Sequence, residues 1–194
     1  MRTENNTDRI ILGIDPGTNI MGFGVIQING TKVQLLHMDI FALKKDSSHH
    51  LKLKLIFEQT SLVIEKYKPD EVALEAPFFG KNVQSMLKLG RAQGISMAAA
   101  LHRNLPVFEY SPRRIKQSIT GKGTASKEQV AIMLQRILSI VTMPEKLDAT
   151  DALAVAMCHY FQNRVGEKNP SAKPSKHNSW KAFVTANSDK VSGL

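Results

Sequence analysis

Apolar residues run almost unbroken from Ile10 to Ile14, and the run ends in Asp15-Pro16-Gly17. A continuous apolar run of this length, without alternation, reads as a strand buried on both faces. Two further strands, Gly24 to Ile28 and Lys32 to Leu36, flank Asn29-Gly30, a strong hairpin signal. Gly17-Thr18-Asn19 supplies the turn between the first strand and the second, so three antiparallel strands are expected in succession. Residues 51–67 place Leu55, Ile56, Leu62 and Val63 on one helical face before Pro69 stops the helix. Val72 to Glu75 is then a short strand ending at Ala76-Pro77, and a helical crossover makes it parallel to an earlier strand.

The longest predicted helix covers 82–103, with Val83, Met86, Leu87, Gly90, Gly94, Met97, Ala98 and Leu101 in one stripe. Its two glycines each cost about 1 kcal/mol relative to alanine, and close approach of another backbone, the sheet or a partner helix, is the expected compensation. Val107 to Tyr110 forms a fifth strand, followed by helices at 112–119, 126–140 and 148–163. The order predicts an α/β domain: a five-stranded mixed sheet, three antiparallel strands then parallel crossovers, flanked by helices. Residues 1–8 read as an N-terminal extension and 9–163 as the domain. Residues 164–194, rich in Asn, Ser, Pro and Lys, read as a basic, poorly ordered tail in which Trp180, Phe183 and Val184 could dock as one helical turn.

Charge narrows the partners. Twenty-six basic against 17 acidic residues leave +9 over 194 residues, which favours a polyanion, nucleic acid first. A single cysteine, Cys158, excludes an internal disulfide framework and a cysteine-rich zinc site, and its apolar neighbours make it a core thiol. The polar N-terminus shows no secretory signal, and no apolar run is long enough to span a membrane. A cytoplasmic protein without a membrane partner is expected.

Acids stand out against that basic background. Asp15 and Glu75 end two strands that are expected to be parallel neighbours, so both reach the carboxyl edge where open α/β sheets place their sites. Asp148 and Asp151 are three apart and share a helix face. Four carboxylates gathered together need cations, and Mg²⁺ takes such oxygen ligands and completes its shell with phosphate oxygens. Two such ions assist in-line phosphoryl displacement, so an acidic metal pocket on a basic protein points to phosphodiester cleavage. Each acid also has a local reading: a turn at Asp15, a strand end at Glu75, and a helix cap and first-turn acid at Asp148 and Asp151. Glu109, at the end of the fifth strand, reads as structural.

Taken together, Ile11-Leu12-Gly13-Ile14-Asp15-Pro16-Gly17, Ala73-Leu74-Glu75 with Phe78 and Lys81-Asn82, Leu87-Lys88-Leu89-Gly90, Val107-Phe108-Glu109-Tyr110 and Asp148-Ala149-Thr150-Asp151-Ala152-Leu153-Ala154 resemble RuvC, the bacterial Holliday junction resolvase family. The resemblance runs in order over about residues 9–163. It implies an RNase H-like fold and a Mg²⁺-dependent homodimer, with Mn²⁺ as a substitute, that nicks opposing strands of a four-way DNA junction in recombination and repair. It makes Asp15, Glu75, Asp148 and Asp151 the catalytic metal ligands, with two ions per site and water attacking the scissile phosphate. It implies an aromatic that stacks on an unpaired base at Phe78; Phe79 beside it leaves open which ring stacks. It implies a dimer element at helix 82–103, with Val83, Met86, Leu87, Gly90, Gly94 and Met97 at the interface, and association with the RuvA–RuvB branch-migration complex.

Residues 111–127 hold Arg113, Arg114, Lys116, Lys122 and Lys127 and no acid, five of the excess positive charges. They read as a phosphate-binding arm, and the resemblance sets Lys116 and Lys127 against DNA near the acids. Lys81, Lys88 and Arg91 extend the track. Other readings are a nuclease of the same fold acting on RNA or hybrid duplex, and a non-catalytic junction-binding protein. The actin-like ATPases open with a similar strand, but this chain lacks their second domain and second glycine-rich loop.

Overall fold

The structure is a computed structural model and describes residues 8–77, 82–144 and 147–167, with side chains as far as Asn163. Phe78, Phe79 and Lys81, most of the N-terminal extension and residues 168–194, which include Trp180, Phe183 and Val184, lie outside the described residues. The architecture below is that of the unit Met1–Gln162.

Three strands, β1 (Arg9–Asp15), β2 (Ile20–Asn29) and β3 (Lys32–Ala42), form the antiparallel half of the sheet. Gly30 at φ 62 closes the predicted hairpin, with Asn29 opposite Lys32. Helix α1 (His49–Tyr67) leads to β4 (Glu71–Glu75), and α2 (Val83–His102) leads to β5 (Val107–Tyr110). Both later strands are parallel to β1, giving the order β3-β2-β1-β4-β5. Three helices complete the unit: α3 (Pro112–Thr120), α4 (Lys127–Ile137) and α5 (Asp148–Glu167). The α/β fold class and the mixed five-stranded sheet are those expected.

Alternation along the strands divides the core in two. Leu12, Ile14, Val72 and Leu74 pack against α1 and α2 on one face. Ile11 and Ala73 pack against α3, α4 and α5 on the other. Asp15 and Glu75 follow the second set and project toward α5. Helix α5 can lie close because β1 and β2 present glycines to it. Gly13 and Gly24 are paired in register, and a Cβ on Gly13 would lie 2.2 Å from the Ala152 carbonyl. At Gly24 it would lie 2.5 Å from Leu153 Cα.

A buried polar chain fixes α5 to the parallel strands. His159 on α5 is fully buried, with Nδ1 2.6 Å from the Tyr110 hydroxyl and Nε2 2.8 Å from Glu71 Oε2. With its proton on Nε2 the ring donates to Glu71 and accepts from Tyr110. That hydrogen bond, aided by the charge of Arg9 against some burial, holds the Glu71 carboxyl below its ordinary value.

Several boundaries differ from the pattern-based ones. β2 starts at Ile20, because pairing with Ala42 extends the ladder to the turn. α4 stops at Ile137, before Ser139 takes a left-handed φ of 51. α5 continues to Glu167, past the boundary expected at 163. The stripe on α2 is corrected most. Its buried residues are the small or polar Ala92, Gln93, Ser96, Ala99 and Ala100, while Val83, Leu87 and Leu101 are more than half exposed. Small residues let α2 settle closely on its own domain and turn the bulkier ones outward. Among the described residues nothing lies within 4 Å of a Cβ built on Gly90 or Gly94, so the sheet does not explain those glycines. Met97 packs partly against the core, unlike Val83 and Leu87.

Candidate metal centre at the carboxyl edge of the sheet

Each acid reaches the site by its own local logic. β1 pairs in parallel with β4, so Asp15 and Glu75 end at the same edge. The close seat of α5 on the glycine-lined strands then brings its first turn, Asp148 and Asp151, to that edge. One carboxylate oxygen from each of Asp15, Asp148 and Asp151 lies within 4.8 Å of the others. Glu75 is not in that close triad but lines the same cleft of about 270 Å³ with Asp15, Asp151, Lys116 and Lys127. Pro112, Ile115, Val130 and Ala154 supply its apolar wall.

The cap reading of Asp148 does not hold among the described residues. The Thr150 and Asp151 amides donate to the Leu147 carbonyl, and the Asp148 carboxylate faces Lys127, 3.9 Å away. Glu109 stays outside the triad: its carboxylate accepts from the Gln93 amide on the α2 face, where Gln93 lines a small cleft with Asp15 and Glu75.

Electrostatics shows how unfavourable the bare acids are. Burial, then the charges of Glu75 and Asp151, push the Asp15 carboxyl up to about 8; Lys127 opposes this and Asp148 adds to it. Burial and Asp151 push Glu75 up to about 7 against Lys127 and Lys116. Lys127 Nζ bonds Asp151, and burial of the ammonium is outweighed by this bond and by the charges of Asp151, Asp148 and Asp15, so its pKa is raised. Partly buried carboxylates that crowd one another and lean on one lysine form a hard-oxygen donor set suited to a divalent cation such as Mg²⁺ or Mn²⁺.

The basic arm divides across α3. Lys116 and Lys127 face the acids. Arg113 and Arg114 face the opposite side, where Ser111, Gln117, Ser118 and Gln162 complete a second cleft of about 480 Å³. Lys122 is exposed just beyond α3, its amide donating to Thr120 Oγ1. Sequence reasoning marked Lys127 for DNA and did not see its bond to Asp151, since residues 24 apart in the chain show no pairing in the pattern. It also missed the His159 chain, for which a lone histidine in an apolar helix gives only the bland reading.

This edge, with its carboxylates from a mixed sheet and an adjoining helix, fits the metal-dependent site of a nuclease of the RNase H-like class. The profile of the family described as Crossover junction endodeoxyribonuclease RuvC matches residues 11–159. The chain is 57% identical to the Crossover junction endodeoxyribonuclease RuvC of Cytophaga hutchinsonii over 95% of this chain and 88% of that one. It is 54% identical to that of Bacteroides fragilis over 95% and 96%. The solved structure of T. thermophilus RuvC in complex with Holliday junction substrate superposes with a TM-score of 0.76 at 33% identity, covering 81% of this chain and 96% of that one. The chain belongs to the RuvC family of crossover junction endodeoxyribonucleases.

Proposed function

We propose that this protein resolves four-way DNA junctions by paired nicks in opposing strands, and that Asp15, Glu75, Asp148 and Asp151 carry the chemistry. The observation behind this reading is the three-carboxylate cluster sharing a cleft with Glu75, Lys116 and Lys127. Asp15, Asp148 and Asp151 would hold the cation, Mg²⁺ or its substitute Mn²⁺, and Glu75 would help to hold a second. A bound divalent cation supplies Lewis-acid charge to the phosphate and activation of the attacking water. Against a bound divalent cation the Asp15 carboxyl would release its proton to solvent, and Asp151 would release Lys127. Lys127 and Lys116 then face the phosphate and offset charge developing on its oxygens. Arg113, Arg114 and Lys122 hold the backbone beyond the cleft, and Phe78 or Phe79 stacks on an unpaired base.

Two sites set by a dyad match two strands of like polarity. The outward face of α2, with Val83, Met86, Leu87, Gly90 and Gly94, supports a homodimer, because Val83 and Leu87 are more than half exposed there and no described residue lies over the two glycines. Family membership supports action in the cytoplasm with the RuvA–RuvB complex. No helix among the described residues is long and apolar enough to cross a membrane. Domain limits of 9–163, with a basic appendage behind, complete the reading.

The test is cleavage of a synthetic four-way junction with and without Mg²⁺, with both product ends mapped. Symmetric nicks leaving 5′-phosphates are expected. Equal cutting of linear or hybrid duplex, or tight junction binding with no metal-dependent nick, overturns the assignment.

A further inference from the structure

Helices α1 and α2 pack side by side on the face of the sheet opposite α5. They run in the same direction. Glu65 and Arg103, near both C-termini, lie 3.8 Å apart, and the Phe57 and His102 rings are 6.4 Å apart. Each helix leads into a strand parallel to β1, so each starts at the edge where Asp15 and Glu75 end. The start of α1 therefore lies beside the first half of α2, on the far side of the sheet from Asp151.

The charged and ionisable side chains of the two helices there are all basic. α1 begins His49-His50-Leu51-Lys52, with no acid in its first turn. α2 carries Lys88 and Arg91 and no acid from Val83 to His102. None of His49, His50, Lys88 and Arg91 takes part in the ion pairs found among the described residues. Asp46 is the only acid from Leu43 to Phe57. Lys52 is different: it is mostly buried and its Nζ donates to Asn19 Oδ1 at 3.1 Å, which ties α1 to the turn that follows Asp15-Pro16. His49 Nε2 is shut away from water and has no hydrogen-bond partner among the described residues. Its pKa is lowered by burial and then by Arg91, Lys88, His50 and Lys52, with no carboxylate opposing them. Unopposed positive charge destabilises a fold and is relieved when a polyanion covers it.

We propose that His49, His50, Lys88 and Arg91 form a second phosphate-binding surface, which holds a junction arm on the α1–α2 side of the carboxyl edge. The inference rests on the junction reading above and adds where the substrate continues. Lys116 and Lys127 grip the backbone on the α5 side, and this patch grips it across the sheet edge. A duplex held on both sides cannot roll about the scissile phosphate.

Junction binding is measured over a salt series with metal withheld, for the full chain and for the single variants Lys88→Gln, Arg91→Gln and His49→Gln. Lys32→Gln, in the β2–β3 hairpin at the other end of the sheet, is the charge-matched control. Each lost phosphate contact flattens the slope of log K against log salt by about 0.9. Lys88→Gln and Arg91→Gln are expected to weaken binding several-fold and to flatten the slope by about that amount, while Lys32→Gln matches the parent. His49→Gln is expected to weaken binding, and the His49 ring proton resonances of the parent are expected to move on junction addition. Slopes for Lys88→Gln and Arg91→Gln equal to the parent, or unmoved His49 resonances, overturn the patch. Metal-dependent nicking by the parent is read separately: its absence overturns the junction reading, while its presence with unchanged slopes overturns the patch alone.

Discussion

Asp15→Asn should stabilise the metal-free protein at alkaline pH while removing its activity. In the fold the Asp15 carboxyl is raised from 3.8 to about 8. A folded-state value above the unfolded one means the folded chain keeps a proton that the unfolded chain has released. The contribution is therefore fully present below about pH 4 and is lost as pH rises through 8. Over that window one proton is worth about 1.4 kcal/mol per pH unit, for a total on the order of 5 kcal/mol. Glu75, raised from 4.5 to about 7, adds a second such loss that is complete near pH 7. Asparagine at 15 does not titrate, so the variant should keep the stability that the parent loses. Urea unfolding with chelator at pH 5, 6, 7 and 8 measures this. The parent's stability should fall with pH about one proton more steeply than the variant's, and the variant should be the more stable by several kcal/mol at pH 8. Adding Mg²⁺ at pH 8 should then stabilise the parent and leave the variant nearly unchanged. Parallel pH slopes for the two proteins would refute the claim that these acids are strained without a cation.

Three other outcomes follow from the same geometry. Asp151→Asn should cut junction nicking on the order of a thousandfold while leaving junction binding within a few-fold, as gel shift and nicking assays on one preparation would show. His159→Ala, which empties a site under the Phe108 ring and strands Tyr110 and Glu71, should cost about 3–5 kcal/mol in urea unfolding, with His159→Gln recovering part of the loss. Gly13→Ala should destabilise the fold by roughly 3 kcal/mol or more, because its Cβ meets α5 backbone; Gly94→Ala, which meets nothing, should leave monomer stability equal or up to about 1 kcal/mol higher. If α2 is the dimer face, sedimentation should show Gly94→Ala weakening self-association.

The sequence by itself determined the element order, the hairpin at Asn29-Gly30 and the parallel placement of the fourth and fifth strands. These are local or near-local properties: apolar period, turn chemistry and the parity of a crossover. What only the tertiary structure decided depends on contacts between distant segments. Which face of α2 lies inward was hidden, because its inner surface is made of small residues and its larger apolar ones point out. That Asp15, Asp148 and Asp151 close into one triad with Glu75 just outside it depends on how closely α5 rests on Gly13 and Gly24. The bond from Lys127 to Asp151 and the chain from Tyr110 through His159 to Glu71 join residues far apart in the chain. Hydrophobic pattern sets which elements form and which way they run; the depth at which two backbones pack sets where carboxylates meet, and that depth is a property of the assembled surfaces.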